Sequence, residues 1–177
     1  KIYLPRKEGT KLLEQFEGYF ELDNVTIEKY DENDWPIRPE ALKTKKAKET
    51  QINKQADVVM LLHLMGNEFD DETIKENYAY YEKRTLHGSS LSPSIYSVMG
   101  LKVGDDSKAY RYLRRAAFID LLNMQGNTRE GIHAANTGGV WQTIVFGFAG
   151  VSQREDGKLR VCPNMPEEWQ NLTFRLH

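Results

Sequence analysis

From Gly131 to Gln153 the chain carries no lysine, arginine, aspartate or glutamate, although 28% of its 177 residues are charged. A stretch of that length could cross a bilayer as a helix. Its five glycines, together with His133, Asn136, Gln142 and Gln153, would be costly in hydrocarbon. The stretch therefore reads as a buried helical segment beside a polar cavity, and it demands a helical body around it. With 40% hydrophobic residues the chain has enough material for one domain with a core, or for a slice of something larger.

Charge and cysteine content narrow the class. Twenty-four basic residues against 26 acidic ones leave a net charge of -2, which gives no electrostatic case for nucleic acid or an anionic membrane. The single cysteine, Cys162, excludes an internal disulfide and leaves no multi-cysteine metal site. The start, KIYLPRKEGTK, lacks the form of a signal peptide. A soluble, cytoplasmic protein is expected. At the other end TFRLH alternates like the beginning of a sheet; sheets do not stop at one strand, so a longer polypeptide is expected.

Residues 1–48 read as an irregular connector, held to a body by Phe16, Tyr19, Phe20 and Trp35 and interrupted by Pro36 and Pro39. From about Glu49 the pattern becomes helical, with Val58, Leu61, Leu62 and Met65 on one face. DDETIKENYAYYEKR predicts a second helix, with acids in its first turn and bases in its last. Ser92-Pro93 predicts the start of a third, ending at Gly100. DDSKAYRYLRRAAFIDLLN predicts an amphipathic helix with Ala109, Tyr112, Leu113, Ala116, Ile119 and Leu122 on its stripe. Thr128 is expected to cap a last helix that meets Gly138-Gly139 and runs on as VWQTIVFGFAG. A turn at Asp156-Gly157 then opens a β region. Residues 1–150 are thus a mainly α domain with its connector, and residues 151–177 begin a β region. Helices joined by short loops pack as antiparallel neighbours.

Three polar clusters interrupt the helical body at or near helix N-termini: Lys54-Gln55 with Asp57, His87-Gly88-Ser89-Ser90, and His133 with Gly138-Gly139. On a helical reading Lys54 points inward, and Gln55 lines up with Val58, Val59 and Leu62. Free backbone N–H groups and the positive end of the helix dipole gather where Ser89 and Ser90 stand, which is how anions are held. Glycines inside a helix cost roughly 1 kcal/mol each relative to alanine, which a close backbone approach at Gly138-Gly139 would justify. The second and third clusters hold no carboxylate, so together the three suit a phosphate dianion. Taken singly, a snorkelling lysine, ordinary capping serines and a satisfied core histidine would explain the same residues.

NKQADVVMLLHLM, YYEKRTLHGSSLSPSIYSVMG and GNTREGIHAANTGGVWQTIVFGFAG resemble the inverting disaccharide phosphorylases of glycoside hydrolase family 65, which act on maltose, kojibiose, trehalose or nigerose. The likeness extends to EQFEGYF and CPNMPEEW. It implies an (α/α)6 toroid flanked by β-sandwich domains, of which this chain would be the later part. It implies an α-linked glucosyl disaccharide and inorganic phosphate as substrates, no cofactor or metal, a homodimer, and a general-acid glutamate upstream of Lys1. Without that acid the piece alone would be inactive. By the same resemblance Ser89, Ser90, His133 and a backbone N–H of Gly139 would hold phosphate, while Lys54 and Gln55 would contact the glucosyl unit. Gly88 stands where many members have aspartate or another polar residue. An α-glucoside hydrolase of the same superfamily, or a noncatalytic helical interaction module, are the competing readings.

Overall fold

The computed structural model describes residues 4–33, 35–154 and 156–176. It is mainly helical and divides into two compact units, Lys1–Ser92 and Pro93–His177.

In the first unit the connector is irregular, as expected, with short 3-10 turns at Tyr19–Glu21, Glu40–Lys43 and Ala47–Glu49. Tyr19 is buried and meets Phe16, Phe20 and Tyr81 edge-on or tilted, whereas Phe16 itself stays half exposed. Helix α1 spans Asp57–Leu64 and α2 spans Asp71–Glu82, and the two pack together. The Asp70 side chain caps α2 by accepting the Thr73 N–H at 2.7 Å. This bond, and Lys11 beside it, hold the Asp70 carboxyl well below the usual carboxylate range. Ile74, Asn77, Tyr78 and Tyr81 form the buried face of α2. Asn77 accepts from the Leu13 N–H (2.8 Å) and donates to the Lys11 carbonyl (2.9 Å), and the Tyr81 hydroxyl donates to the Leu13 carbonyl (2.5 Å). These bonds pin the connector to α2.

Three expectations for this unit are corrected. Residues 50–56 are not helical. Thr50 and Asn53 make parallel bridges to Asp23 and Thr85, so this run is threaded, extended, between two distant segments. On α1 the buried residues are Val58, Val59 and Leu62, while Met65 is half exposed. Helix α2 has no base in its last turn, because it ends at Glu82, before Lys83 and Arg84.

In the second unit α3 (Ser92–Val103) runs past Gly100, which is buried within it. Gly104, at φ 86, is the terminator: its N–H donates to the Leu101 carbonyl, and the Asp105 N–H donates to that of Gly100. This is a Schellman closure, which needs a left-handed residue at its corner. Helix α4 (Asp106–Phe118) is capped by Asp105, whose side chain accepts the Lys108 N–H. Ala109, Tyr112, Leu113, Ala116 and Ile119 are buried, but Leu122 is 65% exposed and leaves the predicted stripe. A second Schellman closure explains this. Asn123 is left-handed (φ 47), donating to the Asp120 carbonyl, while Met124 donates to that of Ile119.

Helix α5 spans Ala134–Gln142 and continues as a π-helical segment, Thr143–Phe148. Thr128 does not cap it; that residue opens a short 3-10 turn and binds Asn123 Oδ1 through both its N–H and its hydroxyl. Helix α5 packs against α4. Ala109, Leu113 and Phe148 form a core cluster flanked by Leu101, Tyr110, Val140, Ile144 and Trp169. The β region is a hairpin: β1 (Val151–Gln153) pairs antiparallel with β2 (Leu159–Val161), Val151 opposite Val161. Leu172 and Phe174 of the TFRLH region pack against Val145, Ala149 and Val151 but form no strand among the described residues.

Candidate functional site

The first unit brings two of the three polar clusters together. Lys54 and Gln55 occupy the bend between the threaded run and α1, and both are exposed. Neither lies on an apolar helix face. Gln55 turns its amide to Asp57 Oδ1 (3.0 Å), whose other oxygen accepts from Gln15 (2.7 Å). The segment that follows α2 pairs with the threaded run. The Asn53 N–H donates to the Arg84 carbonyl (2.7 Å), the Leu86 N–H to Asn53 (2.8 Å) and the Gly88 N–H to Lys54 (2.8 Å). A Cβ added at Gly88 would lie 3.2 Å from Lys54 Cγ, so the lysine stem crosses the loop where a side chain is missing.

The threaded run is itself fixed by a buried polar network. The Gln51 amide donates to the carbonyls of Leu22 (3.0 Å) and Phe20 (3.3 Å), and the Tyr80 hydroxyl donates to Gln51 Oε1. The Tyr19 hydroxyl donates to the Gln51 carbonyl (2.5 Å) and accepts from Asn53 (3.3 Å). Burial pushes the Tyr19 phenol far above its ordinary range, so it is a permanent neutral donor.

His87 turns the second cluster. Its backbone is left-handed (φ 51), a region where histidine is enriched among residues other than glycine but still uncommon. Its ring is buried, with Nδ1 2.8 Å from Ser92 Oγ and the Trp35 ring 6.1 Å away. Ser89 and Ser90, both partly buried, fill the turn that ends at Ser92, the first residue of α3.

The second unit carries His133 and Gly139. His133 is the N-cap of α5, so it stands at the mouth of the helix rather than inside it. The first N–H groups of a helix lack intrahelical acceptors; here the Ala134 N–H donates to the Ile132 carbonyl (3.0 Å) and the Thr137 N–H to that of His133 (3.2 Å), which leaves those of Ala135 and Asn136 at the mouth. Gly139 lies beyond them, and its missing side chain has a packing use: a Cβ there would lie 2.7 Å from Ser94 Oγ and 3.0 Å from Ser94 Cβ. Gly138 faces open space. Asn136 docks the first turn of α5 by donating to the Ala116 carbonyl (2.7 Å).

A carboxylate does accompany the third cluster, contrary to the sequence reading. Asp120 Oδ1 lies 2.5 Å from His133 Nδ1, and Asp120 Oδ2 accepts the His133 backbone N–H at 2.8 Å. Those bonds lower the Asp120 carboxyl below its ordinary value. With Nδ1 engaged, Nε2 is the ring nitrogen left for a ligand. Asp120 escaped detection because it is thirteen residues upstream, across the turn that Asn123 closes. Its one sequence signal is an acid placed directly after the apolar stripe.

Among the described residues no group of three or more His, Cys, Asp or Glu is placed to hold a metal ion, and no helix is long and apolar enough to cross a membrane. A cleft of about 380 Å³ in the first unit, lined by Asn24, Lys29, Ile37, Arg38 and Glu40 among others, contains none of the candidate residues.

Residues 1–142 match the model of the glycosyl hydrolase family 65 central catalytic domain. The chain belongs to glycosyl hydrolase family 65. Within that family it is 54% identical over 176 residues to a kojibiose phosphorylase of Caldanaerobacter subterraneus subsp. tengcongensis and 52% identical to one of Thermoanaerobacter brockii. Each match covers 99% of this chain and 23% of the relative, so the family 65 chain spans about a quarter of those proteins. An α,α-trehalose phosphorylase of Geobacillus stearothermophilus is 45% identical over 71% of the chain and 16% of its own length. A solved structure of a candidate kojibiose phosphorylase from the human microbiome superposes with a TM-score of 0.78 at 34% identity, over 94% of this chain and 23% of that one.

Proposed function

We propose that this chain is part of an inverting disaccharide phosphorylase that cleaves an α-glucosyl disaccharide with inorganic phosphate, releasing β-glucose 1-phosphate. The observation that carries the proposal is the match to kojibiose phosphorylases along 99% of the chain. In that reading the helices are the later part of an (α/α)6 toroid over residues 1–150, and residues 151–177 lead into a β-sandwich domain. The general-acid glutamate belongs to a preceding segment, the piece alone does not catalyse, and the whole enzyme is a cytoplasmic homodimer without cofactor.

The chemistry assigns roles to the named residues. Ser89, Ser90 and His133 hold phosphate, with backbone N–H groups of the α5 N-terminus replacing the donor first expected at Gly139. Lys54 and Gln55 contact the glucosyl unit. A phosphate oxygen attacks the anomeric carbon from the face opposite the leaving sugar while the glutamic acid protonates the departing oxygen. The glycosidic C–O bond breaks, a C–O bond to phosphate forms, and the configuration inverts. An inverting hydrolase needs a second carboxylate to activate water, spaced roughly 6.5–9.5 Å from the acid. Phosphate is already anionic and needs only to be held, which suits serine, imidazole and a helix N-terminus.

The test is glucose 1-phosphate release from kojibiose by the intact protein, with and without phosphate. Cleavage that depends on phosphate and yields the β-anomer is expected. Equal cleavage in both conditions would establish hydrolysis instead.

A further inference from the structure

We infer that Asp120 is a positioning residue for His133, holding its ring so that Nε2 is presented to the phosphate at the N-terminus of α5. This rests on the phosphate reading above.

The geometry is that of a clamp. One carboxylate serves a single residue twice, through the ring at 2.5 Å and through the backbone N–H at 2.8 Å. Both side chains are largely withdrawn from solvent, His133 at 20% and Asp120 at 18% exposure. Capping an orphan N–H would occupy one oxygen only; the second is spent on the imidazole. Fixing Nδ1 against an acceptor sets the tautomer, places the proton on that nitrogen in the neutral ring, and leaves Nε2 as the atom facing outward.

The clamp is anchored from both sides. Asp120 lies in the last turn of the α4 region, closed by left-handed Asn123, whose Oδ1 takes the Thr128 N–H (3.0 Å) and hydroxyl (2.9 Å). His133 begins α5, which is tied back to α4 by the Asn136 amide on the Ala116 carbonyl. Movement of either partner would break one of these bonds, that of Asn136 being buried. Asp120 therefore fixes the ring at the level of geometry and does not itself touch phosphate.

The experiment compares Asp120→Ala, Asp120→Asn and His133→Gln in the intact protein, with inorganic phosphate and kojibiose as varied substrates. Asparagine offers one acceptor and one donor, so it cannot satisfy both N–H groups of His133. It keeps the size of the side chain should the alanine variant fail to fold. The KM for phosphate should rise about 10- to 100-fold in the aspartate variants, the range seen when a residue that orients a metal-ligating histidine is removed, while the KM for kojibiose stays within about twofold. Imidazole 15N spectra, with the His133 signal assigned by its loss in His133→Gln, should show the Nδ1 proton in the parent protein and its redistribution in Asp120→Asn. A phosphate KM unchanged in the aspartate variants but raised in His133→Gln would overturn the role of Asp120 alone. A phosphate KM unchanged in all three would overturn the phosphate reading together with it.

Discussion

Gly138 and Gly139 are neighbours in one helix, yet the structure sets opposite expectations for them. Alanine in a helix interior is favoured over glycine by about 1 kcal/mol. At Gly138 nothing lies within 4 Å of an added Cβ, so Gly138→Ala should collect most of that gain. At Gly139 the same methyl would lie 2.7 Å from Ser94 Oγ and 3.0 Å from Ser94 Cβ, with Ser94 only 2% exposed. Rotation can move the hydroxyl away but not the Cβ. Overpacking of this kind costs about 1–3 kcal/mol, so Gly139→Ala should come out near neutral to ~2 kcal/mol destabilising after the propensity gain. The two variants should therefore differ by ~1–3 kcal/mol. Urea unfolding at constant m-value measures this, and a chain of this size shifts its Tm by about 2–4 °C per kcal/mol. Adding Ser94→Gly to Gly139→Ala should recover part of the loss, because that removes both opposing atoms. If Gly139→Ala proves as stable as Gly138→Ala, the close approach of α5 to Ser94 is wrong.

Three further outcomes are expected. Gly150→Ala should cost about 2–5 kcal/mol, because φ is +63 and the new Cβ would fall 1.9 Å from the Cys162 carbonyl oxygen; a variant within 1 kcal/mol of the parent in urea would refute that. His133→Glu should suppress phosphorolysis by repelling phosphate and by setting a second carboxylate against Asp120, leaving slow phosphate-independent release of glucose at most; unchanged phosphate affinity by calorimetry would remove His133 from the site. Asp70 and Asp120 both have folded pKa values below their unfolded ones, so the unfolded chain binds more protons in acid. Their stabilisation is complete above the unfolded carboxylate value of about 4 and is lost as pH falls through the folded values, so Asp70→Asn should flatten the decline of stability below pH ~4 in denaturant titrations.

Local chemistry made much of the fold legible. Asp70 before DETI and Asp105 before DSKA announce two helix starts, and the stripe from Ala109 to Ile119 announces the face that α4 buries. The family was legible in long motifs. What failed was non-local. In TQINKQAD, Ile52 and Ala56 stand four apart and imitate a helical face, but the run is pinned by partners at Asp23 and Thr85 that no window of sequence contains. The candidate site was legible as residue types near helix starts, since Lys54, Ser90 and His133 all stand just before α1, α3 or α5. Its support was not: Asp120 reaches His133 only after Asn123 reverses the chain, and the close approach of Gly139 to Ser94 joins residues 45 positions apart.

The amide of Gly88 and the carbonyl of Lys54 share one bond, and the bare α-carbon of the glycine leaves room for the lysine stem. Any larger residue at 88 competes with that stem for the same space. A change made there to alter the grip on one substrate will tilt the ammonium assigned to the other, so the two affinities will not be tunable one at a time.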